Sequence, residues 1–186
     1  MGPSGIGKST LIAMMAGIDH PTSGTIRFND CIISDQPFEQ RIQLLEKKIS
    51  IVFQQPCLIA ELTVLENVML KAIIQENVTQ ESEQHALKLL SEVGLESKAF
   101  SFAHNLSGGQ QQKVSILRSI FDAPQFLLAD EPTGNLDQVS ARQVIEMLLA
   151  YQKKYVMGLI ISTHDISIAQ KCDVILKIEN QKIIEL

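Results

Sequence analysis

Residues 2–9, Gly-Pro-Ser-Gly-Ile-Gly-Lys-Ser, match the spacing G-x-x-x-x-G-K-[S/T] in full. Glycines at these positions let successive backbone N–H groups face one anion, and a helix starting at the lysine adds its positive end to the same point. Gly2, Pro3, Ser4, Gly5, Ile6, Gly7, Lys8, Ser9 and Thr10 are therefore the candidate nucleotide-phosphate residues, with Lys8 on the terminal phosphates and the Ser9 hydroxyl offered to Mg2+. A second constellation is the apolar run Phe126-Leu-Leu-Ala ending in Asp130 and Glu131. Buried strands rarely carry carboxylates at their ends for packing reasons, although two acids at a strand exit, taken alone, more often mark a solvated turn. A nucleotide enzyme needs one acid for the metal and another to take a proton from water. We assign Asp130 to Mg2+ through its bound water, and Glu131 to the general base. The third is Leu106-Ser107-Gly108-Gly109-Gln110. Here Ser107 can cap a helix running through Val114, Leu117 and Phe121, while Gly108 and Gly109 leave their N–H groups open to an anion. One chain thus carries two helix ends suited to phosphate.

These residues need elements to hold them. Ser9–Ala16 is rich in helix formers and stops at Gly17, before a Pro-Thr-Ser-Gly turn at 21–24. Short strands are expected at 25–28 and 31–33, and the β-branched run 49–53 predicts a strand buried on both faces. From Val64 to about Phe121 the period is helical: Ala86, Leu89, Leu90 and Val93 share a face, and Gly94 closes it. Strand, helix, strand then come in turn at 126–130, around Ala141–Leu149 and at 157–162, before a hairpin of 174–178 with 182–184. Such alternation implies an α/β fold with a parallel sheet and crossover helices. The reading is one domain over 1–186: residues 1–60 and 122–186 form the phosphate-loop core, and 61–121 an inserted helical subdomain that carries the Ser107 motif.

Composition narrows the class. A chain of 186 residues, 45% hydrophobic and 20% charged, has the make-up of a globular domain with one sizeable core. Its net charge of −5 offers no basic surplus, so no nucleic-acid partner is expected. Cys31, Cys57 and Cys172 are too scattered for a disulfide framework or zinc site and read as buried thiols in a reducing compartment. His20, His85 and His104 read as solvated. The longest apolar stretches fall well short of the ~20 residues that span a bilayer, and no signal peptide is expected.

Taken together, the Lys8 loop, Leu106–Gln110 and Asp130-Glu131 resemble the motifs of the ABC ATPase family, and the likeness covers essentially the whole chain. The resemblance implies roles for further residues. Gln54 matches the glutamine that joins the sheet to the helical insert and senses Mg2+ and the γ-phosphate. Asp137, in Asn135-Leu-Asp137, matches the loop that crosses a dimer interface, and His164 matches the switch histidine on the γ-phosphate. The same resemblance implies ATP and Mg2+ as cofactors. The partners it implies are a second cassette, arranged head-to-tail so that each signature closes over the other's ATP, and transmembrane permease subunits that hold the cassette on the cytoplasmic face of the membrane. Thr63–Val68 and Ala129–Asp137 look most like the lipoprotein-release, macrolide-export and cell-division group.

Three positions depart from the family pattern. Lys113 stands where arginine is usual and Leu117 where a small alanine is usual, which predicts altered packing behind the signature. Only Met1 precedes Gly2, where the family places a hydrophobic strand and, earlier, an aromatic residue that stacks on adenine. The expectation is therefore an N-terminally truncated cassette, and an inactive, poorly folded remnant is one alternative reading. The other, a non-transport ABC ATPase, requires a long coiled coil between the glycine loop and the signature, and residues 10–105 show no sustained heptads.

Overall fold

A computed structural model describes residues 1–3, 5–180 and 182–186. Helix α1 (Lys8–Met15) leaves the glycine loop and ends beside Gly17, whose φ of 67° is the left-handed conformation that stops a helix. Strands β1 (Arg27–Phe28) and β2 (Cys31–Ile32) form a small antiparallel hairpin turning at Asn29. Helix α2 (Phe38–Lys48) fills a stretch to which the pattern reading assigns no element. Its charged and polar face masks the periodicity, and Arg41, the wrong type for a core position, is only 2% exposed.

The sheet that positions the site has the order β3-β4-β5, all parallel: β3 (Ile49–Val52), β4 (Phe126–Asp130) and β5 (Gly158–Ser162). The central strand β4 buries Leu127, Leu128 and Ala129 between α1 on one side and the main core on the other. The expectation that β3 is buried on both faces is corrected. Only Val52 is buried, because β3 lies at one side of the described sheet and pairs with β4 alone. Residues 64–120 form α3 (Val64–Val68), α4 (Leu70–Ile74), α5 (Gln80–Glu92) and α6 (Gly108–Ile120). Thr63 and Ser107 each close a capping box with the residue three ahead, Glu66 and Gln110. Helix α7 (Gln138–Tyr155) crosses from β4 to β5, the short α8 (Ile166–Ala169) comes next, and β6 (Leu176–Glu179) pairs with β7 (Lys182–Glu185) as the expected hairpin.

One hydrophobic cluster runs from the helices, through Leu89, Leu90, Ile116, Leu117 and Ile120, into Leu127 of β4 and Leu148 of α7. The helical block and the strand core therefore share their interior. Leu117 is wholly buried there, so the larger side chain is accommodated as core rather than displaced. A cavity of about 620 Å3 lies between α1, α7, β5 and β6. At its mouth the Met1 N-terminus donates to Leu176 O, and Met1 O accepts from Ile178 N–H.

The cysteines correct the composition reading. Cys57 is exposed, Cys31 and Cys172 are half-buried, and all three are free thiols. His85 is also corrected from solvated to half-buried: its ring packs on Phe121 and Nε2 lies 3.2 Å from Phe121 O. His20 and His104 are exposed, in line with the reading of the sequence.

Candidate functional site

The loop before α1 is shaped by backbone that other residues adopt at a cost. Gly5 and Gly7 have φ of 77° and 103°, and Gly7 stands at the helix N-cap with no side chain to satisfy the first N–H groups. Gly2 anchors the other end, its N–H donating to Thr163 O at the end of β5. A Cβ at Gly2 would meet Ile6 Cγ2 at 3.0 Å and Ile178 O at 3.3 Å, so the loop packs closely against this glycine. Ser4 lies outside the described residues. Pro3, Gly5, Ser9 and Thr10 are exposed on the open side of the loop, and Ile6 is half-buried.

Lys8 is only 6% exposed. Its Nζ donates to Gly2 O and Pro3 O at 2.9 Å each, and pairs with Glu131 Oε1 at 2.9 Å. The other Glu131 oxygen faces His164 Nδ1 at 3.3 Å. Lys8, Glu131 and His164 thus meet in one cluster, 123 and 33 residues apart along the chain (131 − 8 and 164 − 131). The Lys8 hydrogen bond holds the Glu131 carboxyl below its ordinary value of 4.5 against the opposing effect of burial. The carboxylate is therefore ionised, as a general base requires. Glu131 also has φ of 42°, with its N–H donating to both Ser162 O and Ser162 Oγ. This non-glycine left-handed residue is held by β5 at the point where the chain leaves β4.

Asp130, the last residue of β4, accepts from the Ser162 hydroxyl. Gln54 sits just beyond β3, exposed, with Nε2 donating to Asn135 Oδ1 at 3.3 Å. That leaves the Gln54 carbonyl oxygen, the Ser9 hydroxyl and the Asp130 carboxylate as oxygen donors. Mg2+ prefers such hard ligands, keeping waters for its remaining positions.

The Ser107 turn stands apart. Among the described residues no hydrogen bond or ion pair joins Ser107, Gly108, Gly109 or Gln110 to the Lys8 cluster. Ser107 Oγ accepts from Gln110 N–H and Gln110 Oε1 accepts from Ser107 N–H, so the Gln110 side chain is used in the cap. Asp137 caps α7, its Oδ1 accepting from Val139 N–H and Ser140 N–H.

Several supporting residues have no sequence signal. Gln112, 1% exposed, donates from Nε2 to Phe53 O, and Ser119 Oγ donates to Ile51 O. Arg118 forks onto Pro56 O and Cys57 O at 2.9 Å each. Helix α6, which begins with the Ser107 motif, therefore grips the backbone on both sides of Gln54. Asn67, fully buried, ties Ile59, Leu62 and Thr63 into the same loop. Only the amphipathic spacing of α6 hinted that this face meets another element.

This geometry has close relatives. The model of the ABC transporter family matches residues 1–134. The lipoprotein-releasing system ATP-binding protein LolD of Legionella pneumophila (strain Paris) is 39% identical over 176 residues, 95% of this chain and 78% of the relative. An uncharacterized ABC transporter ATP-binding protein, YbbA of Escherichia coli (strain K12), is 37% identical over 185 residues, 100% of this chain and 81% of its own. Among solved structures, the dimeric post-hydrolysis state of the ATP-binding cassette MJ0796 bound to ADP and Pi superposes with a TM-score of 0.89 at 33% identity, covering 100% of this chain and 82% of that one. With the family model matched over most of the chain, and the Lys8 loop, Asp130-Glu131 and the Ser107 turn all on its fold, this protein belongs to the ABC transporter family as an ATP-hydrolysing cassette.

Proposed function

We propose that this cassette hydrolyses Mg-ATP in a head-to-tail dimer, at sites shared between the Lys8 loop of one copy and the Ser107 turn of the other. The observation that carries the reading is the separation of two phosphate-suited helix ends on one chain: α1 opens beside Glu131, whereas among the described residues no hydrogen bond or ion pair joins the opening of α6 to that cluster. A second copy supplies what one copy lacks. The dimeric MJ0796 cassette bound to ADP and Pi is a relative built this way as to copy number.

Within each site the roles come from chemistry. On ATP binding, Lys8 leaves Glu131 for the terminal phosphates, whose negative charge competes directly for the same ammonium. Glu131, ionised and released, orients a water in line with the γ-phosphorus and takes its proton. Ser9, Gln54 and Asp130 would hold Mg2+, which neutralises charge on the β- and γ-phosphate oxygens. His164 lies within reach of Glu131 and contacts the γ-phosphate edge. N–H groups at Gly108 and Gly109, the Ser107 hydroxyl and the loop at Asp137 close over the nucleotide from the partner.

Residues 1–60 and 122–186 act as the catalytic core, and 61–121 as the subdomain that moves with the signature. Closing and opening of the dimer drives a permease in the membrane, contacted through the Gln54 loop, which α6 holds by Gln112, Ser119 and Arg118. No helix among the described residues is long and apolar enough to cross a membrane. The coiled coil of a non-transport ATPase has no counterpart among the described residues, where α3–α6 are at most 13 residues long.

The test is light scattering of the Glu131→Gln protein with and without Mg-ATP. Doubling of the scattering mass with ATP, and its loss on Ser107→Arg, is the expected result. A protein that stays monomeric at saturating ATP overturns the trans arrangement.

A further inference from the structure

The two glycines of the Ser107 turn do different jobs. A Cβ on Gly108 would lie 3.9 Å from Leu136 Cδ2, an ordinary contact. A Cβ on Gly109 would lie 2.8 Å from Ser140 Oγ and 2.9 Å from Ser140 Cβ, closer than any side chain tolerates. Gly109 is thus glycine because the first turn of α6 is pressed against the first turn of α7, whatever its N–H group does for a ligand.

Ser140 cannot easily give way. Its Oγ–H donates to Asp137 Oδ2 at 2.6 Å, and its N–H donates to Asp137 Oδ1, so the side chain is clamped by the residue that caps α7. Asp137 in turn ends a run of tight turns that starts at the Glu131 backbone: Gly134 N–H donates to Glu131 O, and Leu136 N–H to Thr133 O. Midway, a Cβ on Gly134 would fall 2.6 Å from Gln54 Nε2, and Asn135 accepts from that same nitrogen. One continuous segment, 131–140, therefore begins at the proposed base and packs against the Gln54 side chain and the α6 N-terminus.

We propose that Ser140 is a positioning residue: held by Asp137, it sets the stand-off and angle at which Gly108 and Gly109 are presented to the nucleotide of the partner copy. The proposal rests on the trans arrangement above and adds to it a residue outside those assigned to nucleotide and metal. A shift of the α6 end by even part of an ångström misdirects N–H groups that must sit ~3 Å from phosphate oxygens.

The experiment is a double-mutant cycle in the full chain carrying Glu131→Gln, reading the ATP concentration at half-maximal dimerisation beside the melting temperature. Gly109→Ala is expected to raise that concentration about tenfold or more; Ser140→Gly alone is expected to raise it too, and adding Gly109→Ala to Ser140→Gly to change it by no more than about threefold further, because Ser140→Gly removes both atoms that the new methyl meets. Ser140→Gly is expected not to correct Gly108→Ala, whose methyl does not meet Ser140. Ser140→Thr keeps the bond to Asp137 while adding a methyl, so it supplies a second route to the same defect if Gly109→Ala melts without cooperativity. Strictly additive effects in the cycle, together with a silent Ser140→Thr, overturn the role of Ser140 while leaving the trans arrangement standing. A parent that never dimerises with ATP overturns the trans arrangement, and this proposal with it.

Discussion

Replacing Glu131 by glutamine should have two opposite effects, because the same carboxylate is the proposed base and the partner that Lys8 gives up to phosphate. Glu131 Oε1 lies 2.9 Å from Lys8 Nζ, and the two side chains are 17% and 5% exposed. A hydrogen bond to a charged group contributes ~1.5–3 kcal/mol, and with glutamine the ammonium still donates to a neutral oxygen, so only the part that belongs to the carboxylate charge is lost. That part, about 1–1.5 kcal/mol, is what ATP no longer has to overcome when its phosphates take Lys8, and 1.4 kcal/mol is a factor of ten in affinity. Glu131→Gln should therefore bind ATP roughly five- to tenfold more tightly. Its turnover should fall by ~10²–10⁴-fold for want of a base. The same loss lowers the stability of the protein without ATP by about 1 kcal/mol, or ~2–4 °C in Tm for a chain of this size. The assays are titration calorimetry with ATP, phosphate release and thermal melting on one preparation. Tighter binding with slow turnover and a lower Tm is the expected pattern. Unchanged turnover removes Glu131 as the base, and unchanged or weaker ATP binding refutes the competition for Lys8.

Other perturbations test the same contacts. Because Glu131 titrates below its ordinary value, its pairing stabilises the fold above about pH 4.5 and is lost as pH falls through the lowered value; Glu131→Gln should therefore flatten the acid limb of a Tm-against-pH curve below that point. Gly158→Ala would place a methyl 2.4 Å from Phe126 Cδ1 and Cε1, so it should cost ~1–3 kcal/mol in denaturant unfolding, with most of that recovered by Phe126→Ala in the same chain. Leu117→Ala, a change toward the family's usual residue, should cost ~2–5 kcal/mol because Leu117 is wholly buried here; a loss under about 1 kcal/mol would show that the cavity collapses. Gln112→Leu orphans the Phe53 carbonyl and should lower stability by ~1–3 kcal/mol, with raised hydrogen exchange confined to the loop after β3.

Motifs that act through backbone and spacing were legible in the sequence. The Lys8 loop, the Ser107 cap and the acids closing β4 each depend on residues within a few positions of one another, so type and order alone specify their geometry. Periodicity likewise placed α5, α7 and the parallel strands, because a face buried against one layer leaves its period in the chain. Helix α2 left no such trace; among its described side chains the buried one is Arg41. What needed the tertiary structure was every relation between distant segments. Glu131 closes on Lys8 because β4 runs parallel between β3 and β5, with α1 packed across it. The burial of Gln112 and the grip of Arg118 on Pro56 and Cys57 come from α6 crossing the end of β3. From sequence, Gly109 reads as an open N–H; in the fold a Ser140 hydroxyl stands where its side chain would be. Local chemistry is fixed by neighbours along the chain, whereas steric exclusion and competition for a charge arise only when packing brings remote atoms within a van der Waals radius of each other.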